Sequence, residues 1–143
     1  MTQVATEKTM TRAATVGLVG IVDDDESIRN SISSLLRSAG YRTLVFESAE
    51  AFLDSGRIHD TDSLVLDVKM PGLSGIELQR RLHDMNCFVP IIFVTAHAHD
   101  DVRRVALEQG AIAFFGKPFN DEALLSALSS VVDSGSNRTP NTL

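Results

Sequence analysis

Carboxylates crowd the points where short apolar runs of this chain stop. Asp23-Asp24-Asp25-Glu26 follows the run Leu18–Val22, and Asp67 follows Leu64–Leu66. A third run, Ile91–Val94, stops at Thr95, and a fourth is followed closely by Lys117-Pro118. Adjacent carboxylates repel one another and raise each other's pKa, and a hard divalent cation relieves this. Magnesium suits one or two carboxylates, a backbone carbonyl and several waters. Asp67 could then act as a nucleophile, with metal and the Lys117 ammonium neutralising the electrophile. Each residue also has a plainer reading. Asp25 and Glu26 suit the positive N-terminal end of a helix. Asp67 could steady the turn at Pro71-Gly72, Thr95 could make a local hydrogen bond, and Lys117 could be a solvated loop lysine. His97-Ala98-His99 has a metal-ligand spacing but no nearby third partner, and reads as two loop histidines. Cys87 reads as an inert thiol.

Chemistry requires that these segments meet, and the elements around them decide whether they do. The apolar runs Leu18–Val22, Thr43–Phe46, Leu64–Leu66, Ile91–Val94 and Ile112–Phe115 are short and rich in residues that suit buried strands. Runs apolar on both faces point to a parallel sheet covered by helices on two sides. Helical patterns lie between them. Ile28, Ile32, Leu35, Leu36 and Ala39 form one stripe, with Gly40 as the stop. Ser48 can cap a short second helix that ends before Gly56. Ser74-Gly-Ile-Glu77 is a capping box opening a third, with Leu78, Leu82 and Met85. A fourth follows Asp100-Asp101, carries Val102, Val105 and Ala106, and stops at Gly110. Asn120 can cap a fifth, striped by Leu124, Leu125, Leu128, Val131 and Val132. The pattern is (βα)5, a doubly wound α/β fold. Its crevice lies at the carboxyl ends of the strands, where the acids, Thr95 and Lys117 stand.

Composition narrows the field. The 143 residues amount to one domain, long enough for a core without disulfides or metal staples. Hydrophobic residues at 43% and charged residues at 22% are ordinary for a folded domain. Residues 1–16 read as a flexible N-terminal arm, 17–133 as the folded domain, and 134–143 as a flexible tail or the start of a linker. The apolar runs are too short to span a bilayer, and the first residues lack the apolar stretch of a signal peptide. A cytoplasmic chain is the expectation. Residues 18–133 carry 18 acids and 10 bases, a net of −8, which argues against nucleic-acid binding by this segment.

Four pieces together resemble the receiver domain of bacterial two-component response regulators. They are Val22-Asp23-Asp24-Asp25-Glu26 with Arg29, Leu66–Gly75 around Asp67, Val94-Thr95-Ala96, and Gly116-Lys117-Pro118-Phe119. The segments Glu47–Leu53 and Phe114–Phe119 resemble the nitrogen-fixation type, whose receivers often precede a helix-turn-helix effector. The resemblance implies a flavodoxin-like sheet of strand order 2-1-3-4-5. It implies Asp67 as phosphoacceptor, with a sensor histidine kinase as donor and partner. Asp23, Asp24, Asp67 and the backbone carbonyl of Lys69 would hold magnesium, or manganese. Lys117 would meet the phosphoryl group. Thr95 would be the switch hydroxyl, and Phe114 the switch aromatic that turns inward once Thr95 has moved. Lys69 and His97 would tune dephosphorylation. A cis Lys117–Pro118 bond and phosphorylation-dependent dimerisation through the fourth helix, fifth strand and fifth helix are further implications.

Rival readings differ at named positions. A hydrolase of the haloacid-dehalogenase type wants an acid two residues after its nucleophile, where this chain has Lys69. A flavodoxin-type carrier wants a phosphate-holding first loop, which Asp23–Glu26 would repel. A receiver-like module that only binds partners, and is never phosphorylated, is the remaining alternative. The sequence carries no effector domain, so it reads as a stand-alone receiver or as the receiver part of a longer chain.

Overall fold

The five apolar runs lie side by side as parallel strands, β1 (Leu18–Val22), β2 (Arg42–Phe46), β3 (Ser63–Leu66), β4 (Ile91–Thr95) and β5 (Ala113–Gly116). Their order across the sheet is β2-β1-β3-β4-β5, as the resemblance implies. The computed structural model describes residues 17–141; the expected arm at 1–16 lies outside them. Among the described residues, five helices connect or follow the strands: α1 (Glu26–Ser38), α2 (Ala49–Asp54), α3 (Gly75–Asp84), α4 (Asp100–Glu108) and α5 (Asp121–Asn141).

Side chains alternate across each strand, and the two faces feed two separate cores. On one face Val22, Leu64, Leu66, Ile91, Phe93 and Phe114 meet Phe52 of α2, Leu78 and Leu82 of α3, and Ala106 of α4. On the other, Val19, Ile21, Val65, Ile92 and Val94 meet Ile32 and Leu36 of α1 and Leu124, Leu128 and Val131 of α5. Each fully buried side chain of this size stabilises by about 1.5–3 kcal/mol. The central strands β1, β3 and β4 are buried on both faces. The edge strand β2 is only partly buried, since one of its edges lacks a neighbouring strand.

The caps follow the sequence. Ser48 Oγ accepts from Ala51 N at 3.0 Å, the Ser74/Glu77 capping box is complete, and Asn120 Oδ1 accepts from Ala123 N at 2.9 Å. Two helix ends differ from expectation. α4 includes Asp100 and Asp101 in its first turn, where they favour the helix dipole, and its N-cap His99 makes no side-chain capping hydrogen bond. α5 continues to Asn141, past the expected boundary at 133. Once a helix is nucleated, adding residues costs little, and Ser134-Gly135-Ser136 weakens a helix without forbidding it.

Candidate functional site

Strand register brings the candidate residues together. Val22 pairs with Leu66, so Asp23 and Asp67 emerge side by side. Asp67 N donates to Val22 O at 3.0 Å, and Asp23 N to Phe46 O at 3.1 Å. Thr95 pairs with Gly116, so Lys117 follows directly beside it, and Lys117 N donates to Thr95 O at 2.8 Å. Carboxylate oxygens of Asp23, Asp24 and Asp67 lie within 4.8 Å of one another. Asp23 and Asp67 are buried; Asp24 is exposed. Lys117 Nζ reaches both buried acids, Asp23 Oδ2 at 2.9 Å and Asp67 Oδ2 at 3.3 Å. The Lys117–Pro118 peptide is cis.

The electrostatics are unbalanced. Burial pushes the Asp23 carboxyl above its ordinary value, and the Asp67 charge adds to this; hydrogen bonds from Lys117 and the Asp25 N–H only partly offset it. Burial alone would lower the Lys117 ammonium, but its hydrogen bond to Asp23 and the charges of Asp67 and Asp23 win, and it is raised. One lysine thus serves two buried acids, and the partner it bonds best still resists ionising. Among the described residues, the buried Asp67 Oδ1 has no hydrogen-bond partner. An orphaned carboxylate oxygen among three crowded acids fits a hard oxygen-seeking cation such as magnesium.

The loops that present these groups are held from several sides. Asp25 caps α1, accepting from Ser27 N at 2.9 Å and Ile28 N at 3.3 Å, while its own N–H donates to Asp23 Oδ1 at 2.9 Å. After β3, Gly75 N donates to Val68 O at 2.7 Å. A Cβ built on Gly75 would run into the carbonyl oxygen of Asp67, so α3 begins hard against the phosphoacceptor candidate's own peptide. Glu50 of α2 steadies the same loop, its Oε2 accepting from Leu73 N at 2.9 Å beside Gly72 at φ +80°. Sequence reasoning missed this use of Glu50, of Gly75, and of Arg29, whose Nη1 donates to Asp23 O at 2.7 Å. It also missed Gln79, buried in α3, whose Nε2 donates to Ala106 O of α4 at 3.1 Å. Nothing in residue spacing announces such cross-element bonds.

The remaining candidates fall at the rim's border. Thr95 is buried, and its Oγ1 accepts from His97 N at 3.0 Å. Lys69 is exposed and His97 half-buried, 6.5 Å from His99 between ring centroids. Among the described residues, the acid trio is the one cluster with metal-holding geometry, so the histidine pair stays a pair of loop residues. Cys87 is a half-buried free thiol. Phe114 already stands inward, buried against Phe93 with ring centroids 5.8 Å apart. Its neighbours Ala113 and Phe115 pack into the opposite core. The ring takes the inward place because alternation puts it on the face of Phe93 and Ala106, where exposing it would forfeit apolar burial.

This fold with this rim defines a class. Residues 19–129 match the family model of the response regulator receiver domain, and the chain belongs to that family. It is 42% identical over 118 residues to nodulation protein W of Bradyrhizobium diazoefficiens, covering 82% of this chain and 52% of that protein. It is 37% identical over 118 residues to the transcriptional regulatory protein FixJ of the same organism, covering 82% and 58%. The chain therefore spans about half the length of these relatives. Its fold superposes on the crystal structure of FixJ-N with a TM-score of 0.74 at 35% identity, covering 82% of this chain and 94% of that one. It matches a low-resolution structure of the response regulator StyR with a TM-score of 0.81 at 40% identity, covering 88% and 64%. The nitrogen-fixation type expected from the sequence is thus the type found. Among the described residues, no helix is long and apolar enough to cross a membrane.

Proposed function

We propose that this chain is the phosphoacceptor of a two-component relay, with Asp67 receiving a phosphoryl group from a sensor histidine kinase. One observation carries the reading: Lys117 Nζ bridges Asp23 and Asp67 beside the buried, unpartnered Oδ1 of Asp67. An Asp67 oxygen attacks the phosphorus of a phosphohistidine in line. The O–P bond forms as the P–N bond breaks, and the imidazole leaves. Lys117 meets the charge spread over the phosphoryl oxygens. Asp23, Asp24, Asp67 and the Lys69 carbonyl would hold magnesium, which supplies charge neutralisation. The product is an acyl phosphate. Incubation with acetyl phosphate and magnesium should add one phosphoryl mass to the peptide carrying Asp67. Undiminished labelling of Asp67→Asn at that peptide, or labelling in excess chelator, would falsify this and favour a module that only binds partners.

Lys69 and His97 each stand two residues beyond a site residue and tune the lifetime of the product. Lys69 shields the acyl phosphate and His97 orients water. Decay of labelled Lys69→Ala and His97→Ala should differ several-fold from wild type; three identical decay curves would remove these roles.

The output is a change on the face of α4, β5 and α5, read by a second copy of the chain. The phosphoryl oxygens draw on the Thr95 hydroxyl, which already accepts the His97 N–H and has its own proton to donate. Phe114 then chooses between its present inward position and an outward one, a two-state choice because a packed ring has few rotamers. Sedimentation should show wild type gaining dimer with beryllofluoride, a phosphoryl mimic, and Thr95→Ala gaining less. A wild type that binds the mimic and stays monomeric would place the output on a different partner.

A further inference from the structure

Asp24 differs from the other two acids of the trio. It is exposed, and its carboxylate holds no hydrogen bond or ion pair among the described residues. Asp23 and Asp67 are steered by Lys117; Asp24 is steered by its backbone alone. The peptide joining Asp23 to Asp24 is a rigid plane and turns as a unit. That plane lies just beyond the last β1 ladder pair, Val22 with Phe46 and Leu66. Asp23 N still finds a strand partner, Phe46 O, but the sheet has ended for its carbonyl. Arg29 takes that carbonyl, with Nη1 at 2.7 Å. Arg29 stands one turn into α1, its own N–H donating to Asp25 O at 3.0 Å. A charge-assisted hydrogen bond of this kind is roughly twice as strong as a neutral one.

We infer that Arg29 is a positioning residue of the metal site. Holding the Asp23 carbonyl, it sets the plane of the 23–24 peptide and so the direction from which Asp24 joins Asp23 and Asp67. The inference rests on the reading of the acid trio as a magnesium site. It carries a sign that separates it from the alternatives. As a mere positive charge, Arg29 would repel a dication, and removing it would tighten magnesium binding. As a mere staple between helix and strand, it would support the melting temperature and leave magnesium affinity alone. As a positioning residue, its loss weakens magnesium binding although a repelling charge has gone.

The experiment is calorimetric titration of magnesium chloride into the whole chain. Wild type is compared with Arg29→Met, which keeps bulk and loses the donor, and with Arg29→Lys, which keeps the charge and a donor on a slightly shorter stem. Arg29→Gln is polar and too short to reach the carbonyl, and it stands in if the methionine variant does not fold. Methionine and glutamine are expected to weaken magnesium binding about tenfold, the scale seen when a ligand's support is removed, and lysine to stay near wild type. Unchanged or tighter binding by Arg29→Met or Arg29→Gln overturns the positioning role alone. No magnesium binding by wild type, or equal binding by wild type and Asp24→Asn, overturns the metal-site reading and this inference with it.

Discussion

Lys117→Met is expected to slow metal-dependent phosphorylation of Asp67 by roughly a hundredfold, the scale of removing one charge-stabilising donor from a transition state. The same change should lower the metal-free melting temperature by several degrees. Among the described residues, Lys117 is the single cation bonded to the carboxylates of the two buried acids, at 2.9 and 3.3 Å. Methionine fills its volume but leaves both carboxylates facing each other. Breaking a fully buried pair from one side costs ~3–5 kcal/mol, and a site open at its rim loses less. Labelling by acetyl phosphate gives the rate, and thermal melting gives the stability. A variant that melts lower but labels at the wild-type rate would make Lys117 a structural counter-ion only.

Asp23→Asn should move stability the other way. Burial holds the Asp23 carboxyl above its ordinary 3.8, even with Lys117 attached. A group raised on folding stabilises below its unfolded pKa and loses that contribution as pH rises through its folded pKa. Metal-free wild type therefore loses part of its stability through this group over a window that opens near its ordinary 3.8 and extends upward. The raised Lys117 acts in the same sense but far higher, above its ordinary 10.5, and does not contribute to that window. Asparagine gives up one acceptor contact, worth about 1 kcal/mol net, and Lys117 keeps Asp67. The expected result is a higher metal-free melting temperature near neutral pH, a flatter pH profile, and weaker magnesium binding. Comparing variant with wild type cancels the exposed acids Asp25 and Glu77, whose lowered pKa values act in the opposite sense. A lower melting temperature with an unchanged pH slope would make Asp23 a structural residue. Asp24, exposed, should show the stability effect far less than the affinity effect.

How much of this was readable in advance follows from what each element depends on. The strands announced themselves because β1, β3 and β4 are buried on both faces and so are apolar without interruption. The rim followed, because strand ends in a parallel sheet share one edge and Asp23, Asp67, Thr95 and Lys117 all sit at such ends. Caps were legible because Ser48, Ser74 and Asn120 act on their own helices. The bonds of Arg29, Glu50 and Gln79 were not, because each joins groups whose distance is set by the folded chain. The inward Phe114 was half legible: alternation gave its face, but its packing against Phe93 joins two strands far apart in the chain and is not announced by spacing. The continuation of α5 to Asn141 was missed because composition weighs residues singly, while a helix already formed extends cooperatively.

Gly75 closes a common route to improving such a domain. Glycine to alanine in a helix ordinarily raises stability by up to about 1 kcal/mol, and a sequence survey for stabilising changes would choose this position early. Here the added methyl meets the Asp67 carbonyl, which is backbone and has nowhere to go. Helix α3 and the phosphoacceptor candidate thus share one atom's width of clearance. Any redesign of that helix's start is also a redesign of the site, and a variant library should hold position 75 fixed while the rest of α3's exposed face varies.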